Sequence, residues 1–129
     1  MENLLVRMPI PNYYKEGVFD CSERSAYVEW YLENHGIPAR IVVGYAKPFL
    51  GEGGNHAWVE AYVKAGIYGY GWVRIETSEM SLFGGVYIHT LTIFDALFTE
   101  YEPKIYFEDI YEAVRYYRST IEWDWWNVE

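Results

Sequence analysis

The stretch from Asp20 to Pro38 carries its own start and stop signals, and a helix fixed this firmly dictates what the rest of the chain must pack against. Asp20 can cap it through a side-chain oxygen, and Glu23, three residues on, can reach back to the cap's amide in a capping box. Near Asn34 the helix closes on His35-Gly36, where Gly36 supplies the left-handed cap and Pro38 prevents resumption. His35 reads as a cation near the negative end of the helix dipole. In between, Ala26, Tyr27, Val28, Trp30, Tyr31 and Leu32 cover more than one narrow stripe, so the helix is expected to be buried over much of its circumference.

The first helical position belongs to Cys21, the single cysteine of the chain. Unpaired amides and the positive end of the helix dipole beside its sulfur favour thiolate over thiol. A lone cysteine so placed, in a chain that also offers histidines, is a candidate nucleophile. The competing reading is a small buried hydrophobe, the commonest fate of a free cysteine.

Three extended segments follow the helix. Arg40–Tyr45 is rich in β-branched residues and reads as a buried strand; His56–Val63 and Trp72–Thr77 alternate as strands. Phe49–Asn55, with three glycines, reads as a loop, and Lys64–Gly71 as the loop of a hairpin. If that hairpin turns about Gly66, His56 lies directly opposite Glu76, with Cβ atoms about 4.5–5.5 Å apart, close enough for an imidazole–carboxylate hydrogen bond. Glu60 shares the face of His56 but lies four residues along the same strand, roughly 13 Å away. Glu76 is therefore expected to orient His56, while Arg74 on the same face is expected to pair with Glu60.

At 129 residues the chain is read as one domain, residues 1–129, with no internal repeat or linker, and its 51% apolar share excludes disorder. One cysteine permits no internal disulfide, which suits a reducing, cytoplasmic setting. The N-terminal residues have neither the basic lead nor the apolar run of a secretory signal, and no apolar run reaches the length of a membrane span. A net charge of −9 opposes binding to phosphate backbones and anionic membranes, so neither nucleic acid nor membrane is expected as a partner. His89 has no partner at metal-ligand spacing, and no metal or cofactor is expected.

From Cys21 to Thr77 the chain resembles the transglutaminase-like superfamily of papain-like thiol enzymes. Cys21 and Ala26 in the helix carry the resemblance, with Gly36-Ile37-Pro38-Ala39-Arg40 leading into Val43-Gly44-Tyr45. Asn55-His56-Ala57-Trp58-Val59-Glu60 and Trp72-Val73-Arg74-Ile75-Glu76-Thr77-Ser78 complete it. The order of cysteine, histidine, then an acid on the next strand is the family's order. The resemblance implies an α+β fold, with a papain-like central helix carrying the cysteine packed on an antiparallel sheet. It implies acyl transfer on peptide or protein amides, with Cys21 as nucleophile, His56 as base and Glu76 as orienting acid. At the third site the family usually carries aspartate followed by proline and threonine, whereas this chain has Glu76-Thr77-Ser78. A cysteine peptidase or amidase is the expected activity. The alternatives are a true transglutaminase, using a primary amine as acceptor, and a binding or assembly module without turnover. The Cys21 amide is the natural first donor to an oxyanion; Asn12, Tyr13, Tyr14 and Trp58 remain open as the second.

Beyond residue 80, helices are expected over Leu91–Glu100 and Phe107–Arg118 and an added strand over Thr120–Val128. The aromatic residues there read as core rather than as a ligand platform.

Overall fold

The computed structural model describes residues 1–10, 21–48, 53–64, 69–80, 86–90 and 99–116. Two helices come first: α1, Glu2–Arg7, and α2, Cys21–Asn34. Strands β1 (Ala39–Pro48), β2 (Gly54–Lys64), β3 (Tyr70–Met80), β4 (Val86–Thr90) and β5 (Thr99–Phe107) follow, and α3, Ile110–Tyr116, comes last. The fold is α+β. All strand pairs are antiparallel and form one sheet in the order β4-β3-β2-β1-β5. Among the described residues no helix is long and apolar enough to cross a membrane.

Helix α2 ends where its local chemistry says it should. The Ile37 amide bonds the Leu32 carbonyl at 3.0 Å and the Gly36 amide the Glu33 carbonyl at 3.1 Å, with Gly36 at φ +80°. This is a Schellman closure, which satisfies carbonyls the helix would otherwise leave open. His35 folds back on the last turn, stacked on Tyr31 and bonded through Nδ1 to its carbonyl at 2.8 Å. The expected cap, Asp20, lies outside the described residues.

One face of the sheet carries α2. Val28 and Leu32 pack with Ala39, Val59, Ala61 and Ile75, and with Leu5 and Met8 from the N-terminal segment. At the other end of the helix, Cys21 and Ala26 pack with Ile41, Val43, Ala57, Phe107 and Ala113. Each large aliphatic or aromatic side chain so buried contributes about 1.5–3 kcal/mol, which anchors both ends of α2 over the middle strands. His56, Trp58, Glu60, Arg74 and Glu76 alternate with these residues and belong to the opposite face.

The β2–β3 register differs from the expectation. Glu60 is paired with Arg74 and Lys64 with Tyr70, so the hairpin centres on position 67 rather than on Gly66. A two-residue slip preserves faces, whereas a one-residue slip would have reversed them. Glu76 is thus diagonal to His56 instead of opposite. Arg74 faces Glu60 in the register but does not hold it: Glu60 is bound by Arg40 of β1, at 3.0 and 2.7 Å. Arg40 reaches it stretched between the rings of Trp72 and Tyr106, 3.9 and 4.2 Å from their centroids.

After β3 the expectations fare less well. Thr99 and Glu100, assigned to a helix, begin β5, and residues 91–98 lie outside the described set. Phe107 is the last residue of β5, and the following helix starts at Ile110. The strand expected over Thr120–Val128 lies outside the described residues. Proline at 103 argues against a central strand, and β5 is an edge strand, where proline is tolerated.

Helix α2 also buries a carboxyl against the turn into α3. Glu29 is 4% exposed, and burial, reinforced by Glu33, Asp109 and Glu108, pushes its pKa from 4.5 up to about 8. The folded state therefore holds this proton more tightly than the unfolded chain, so stability falls as pH rises from about 4.5 through about 8. Glu29→Gln should raise unfolding stability by on the order of 2–4 kcal/mol at pH 8 and leave it nearly unchanged at pH 4. Equal gains at both pH values in denaturant titrations would refute this origin.

Candidate active site

Cys21 opens α2 and is 8% exposed. Its helix is tied to β3 by buried polar contacts of the first turn and a half: Arg24 Nε donates to the Thr77 carbonyl at 2.6 Å, and the Ser25 and Thr77 hydroxyls are 3.0 Å apart. Thr77 follows Glu76 directly. The strand that carries the acid is therefore clamped to the helix that carries the thiol.

His56 stands near the start of β2, opposite Gly44 of β1. Its Nε2–H donates to both carboxylate oxygens of Glu76, at 2.9 and 3.0 Å. Of the three residues expected from the sequence, His56 and Glu76 are thus joined by hydrogen bonds, and Cys21 lies near enough to the imidazole to raise its pKa. The diagonal offset of Glu76 explains why a glutamate serves here. Diagonal neighbours lie about 7–8 Å apart, a span that the extra methylene helps to cross.

Burial alone would lower the His56 pKa. Hydrogen bonds with Cys21 and Glu76, and the charges of both, outweigh it and push the value from 6.5 up to about 10. The imidazole is held as imidazolium through neutral pH. This stabilisation is fully present below about 6.5 and is lost as pH rises through about 10.

The carboxylate has further partners that the sequence did not disclose. The Thr77 amide donates to Oε1 at 3.1 Å, and the Tyr101 hydroxyl, from β5, donates to Oε2 at 2.7 Å. Tyr101 meets Trp58 edge-on at 5.0 Å, and the Arg74 guanidinium lies 4.9 Å from the Tyr101 ring centre. Nothing in the spacing of Tyr101 marks it, because its place depends on how β5 pairs with β1. Trp58 is fully buried, and its indole Nε1 has no hydrogen-bond partner among the described residues. Asn12, Tyr13 and Tyr14 lie outside the described residues. Among the described residues, no three histidine, cysteine or acidic side chains are grouped to hold a metal ion.

The model of the transglutaminase-like superfamily matches residues 7–77, more than half of the chain. The chain belongs to the transglutaminase-like superfamily. The matched span takes in α2, β1, β2 and β3 as far as Thr77, and hence Cys21, His56 and Glu76. This transglutaminase-like chain is also 38% identical, over 53 residues, to an uncharacterized protein of Methanocaldococcus jannaschii. The aligned part is 41% of the chain and 22% of that relative, so the chain spans about a fifth of the relative's length. No solved structure matches the transglutaminase-like chain.

Proposed function

We propose that the chain is a thiol-dependent acyl-transfer enzyme acting on peptide or protein amides, with Cys21 as nucleophile, His56 as base and Glu76 as orienting acid. One observation carries this reading: the imidazole of His56 is bonded through Nε2 to the Glu76 carboxylate, and its pKa is raised by Cys21, the thiol that opens α2. A thiol buried only as a hydrophobe needs no such partner.

In the reaction the Cys21 proton already resides on His56, held as imidazolium, and the thiolate attacks the amide carbonyl, forming the S–C bond as the carbonyl π pair moves onto oxygen. The developing oxyanion is met by the Cys21 amide at the start of α2, where helix amides have no intrahelical partner. Collapse breaks the C–N bond as His56 returns the proton to the leaving amine. Water then attacks the thioester with the now neutral His56 as base, breaking the S–C bond to release the acid and restore the thiolate beside imidazolium. A primary amine in place of water would give transamidation. Hydrolysis is the reading taken, since a small domain with a glycine-rich segment before β2 is poorly equipped to exclude water.

Alkylation of Cys21 between about pH 5 and 7 tests this. An activated thiolate reacts there and an ordinary thiol, with a pKa near 8.5, hardly does. Wild type should react at least about tenfold faster than a free thiol at pH 6, and His56→Ala should lose that advantage. A wild-type profile that follows the ordinary thiol would favour a binding module without turnover.

A further inference from the structure

We propose that Tyr101 is a positioning residue of this site, holding the Glu76 carboxylate in the orientation that His56 requires. The role rests on the triad reading given above; the contact itself does not. Tyr101 Oη donates to Glu76 Oε2 at 2.7 Å, while the Thr77 amide takes Oε1. With His56 Nε2 facing both oxygens, three donors from β2, β3 and β5 fix the plane of the carboxylate. A carboxylate bound only by the imidazole could swing about its own side-chain torsions.

The sheet contains a device that delivers the phenol to this point. Ile41 and Val43 pair with Phe107 and Ile105, but the register then shifts, so that Gly44 pairs with Pro103 and Ala46 with Tyr101. Lys104 is the extra residue of this β-bulge. Without it Tyr101 would stand level with Lys47, and its side chain would point to the face that carries α2. With it, Tyr101 shares the face of Gly44 and, across β1, of His56. Gly44 is required for the approach: a Cβ there would lie 2.2 Å from the Glu102 carbonyl oxygen and 3.0 Å from the Pro103 Cα. The charged and titratable groups placed around the carboxylate are His56 from β2, Arg74 from β3, Tyr101 from β5 and His89 of β4, the register partner of Glu76, with Cys21 of α2 beyond the imidazole.

Tyr101→Phe keeps the ring against Trp58 and Arg74 and removes only the hydroxyl. An ionised carboxylate that loses one donor is easier to protonate. The acid-side step in the carboxyl ¹³C resonance of Glu76, and in the His56 Nε2 resonance that senses it, should move up by about 1–2 pH units. A residue that merely fills space would leave this step in place. Tyr101→Leu should move it equally while lowering the melting temperature further. Gly44→Ala, which keeps the phenol but forces β5 outward, should move it in the same direction; if that variant does not fold, Tyr101→Phe alone decides. Superimposed titrations of wild type and Tyr101→Phe would overturn the proposal. Cys21 alkylation of the same proteins separates the two readings. An ordinary-thiol profile in wild type with a displaced acid step in Tyr101→Phe removes the triad and sustains the Tyr101–Glu76 assignment. Low-pH reactivity in wild type with unmoved titrations does the reverse.

Discussion

In Cys21→Ser, turnover of any peptide or glutamine-amide substrate is expected to fall by about 10⁴-fold or more, while thermal unfolding stays cooperative. The magnitude follows from the way a triad works. The imidazole and carboxylate serve only to move the nucleophile's proton, and removing the nucleophile disables the unit as a whole. A serine hydroxyl is close in shape, but its proton is far harder to remove. The fold should tolerate the change, because α2 is held chiefly by Val28 and Leu32 in one cluster, by Ala26 in the other, and by the Arg24 and Ser25 contacts to Thr77. Turnover on a peptide and glutamine-amide panel, measured beside a melting curve, is the check. Activity that survives in the serine variant would remove Cys21 from the chemistry.

What could be read from the sequence divides along the range of the interactions involved. The finish of helix α2 was legible to the residue because it is specified locally, by Gly36 with Pro38. The common face of His56 and Glu76 was legible because strand alternation has a period of two and survives a two-residue error in register. The register itself was not, since a glycine-rich loop allows more than one turn centre and the choice is made by pairing along the strands. Glu60 shows the same limit. Arg74 and Arg40 are both cross-strand candidates, and only the sheet order, with β2 between β1 and β3, makes both available. Arg40 prevails, braced between Trp72 and Tyr106, while Arg74 lies over the rings of Trp58 and Tyr101. Strand β5 was hidden by Pro103 and by charged residues on its exposed side, and with it went Tyr101. A side chain that enters the site by way of a bulge on an edge strand has no signature in spacing.

Glu76→Gln is expected to lower turnover by on the order of 10–10³, less than the roughly 10⁴ seen when the acid of a serine triad becomes an amide. A thiol depends less on its base than a hydroxyl does, so losing the orienting charge costs less. The geometry says what the amide would undo. Glu76 receives His56 Nε2, the Thr77 amide and the Tyr101 hydroxyl, all of them donors. A glutamine has one acceptor oxygen, and its NH₂ would be forced against a donor at one of these contacts. It also lacks the charge that helps push His56 up to about 10, so the imidazolium that stabilises the thiolate would be given up at a lower pH. The alkylation profile should accordingly move toward that of an ordinary thiol. The loss of stability between about pH 6.5 and 10 that His56 confers should flatten, independently of any substrate. Glu76→Asp keeps the charge and should retain more activity than the glutamine variant. It should fall short of wild type, because a shorter side chain must span the same diagonal to His56. If the alkylation profiles of wild type, Glu76→Gln and Glu76→Asp superimpose, the carboxylate is not the third member, and the hydrogen bonds that converge on it serve the fold alone.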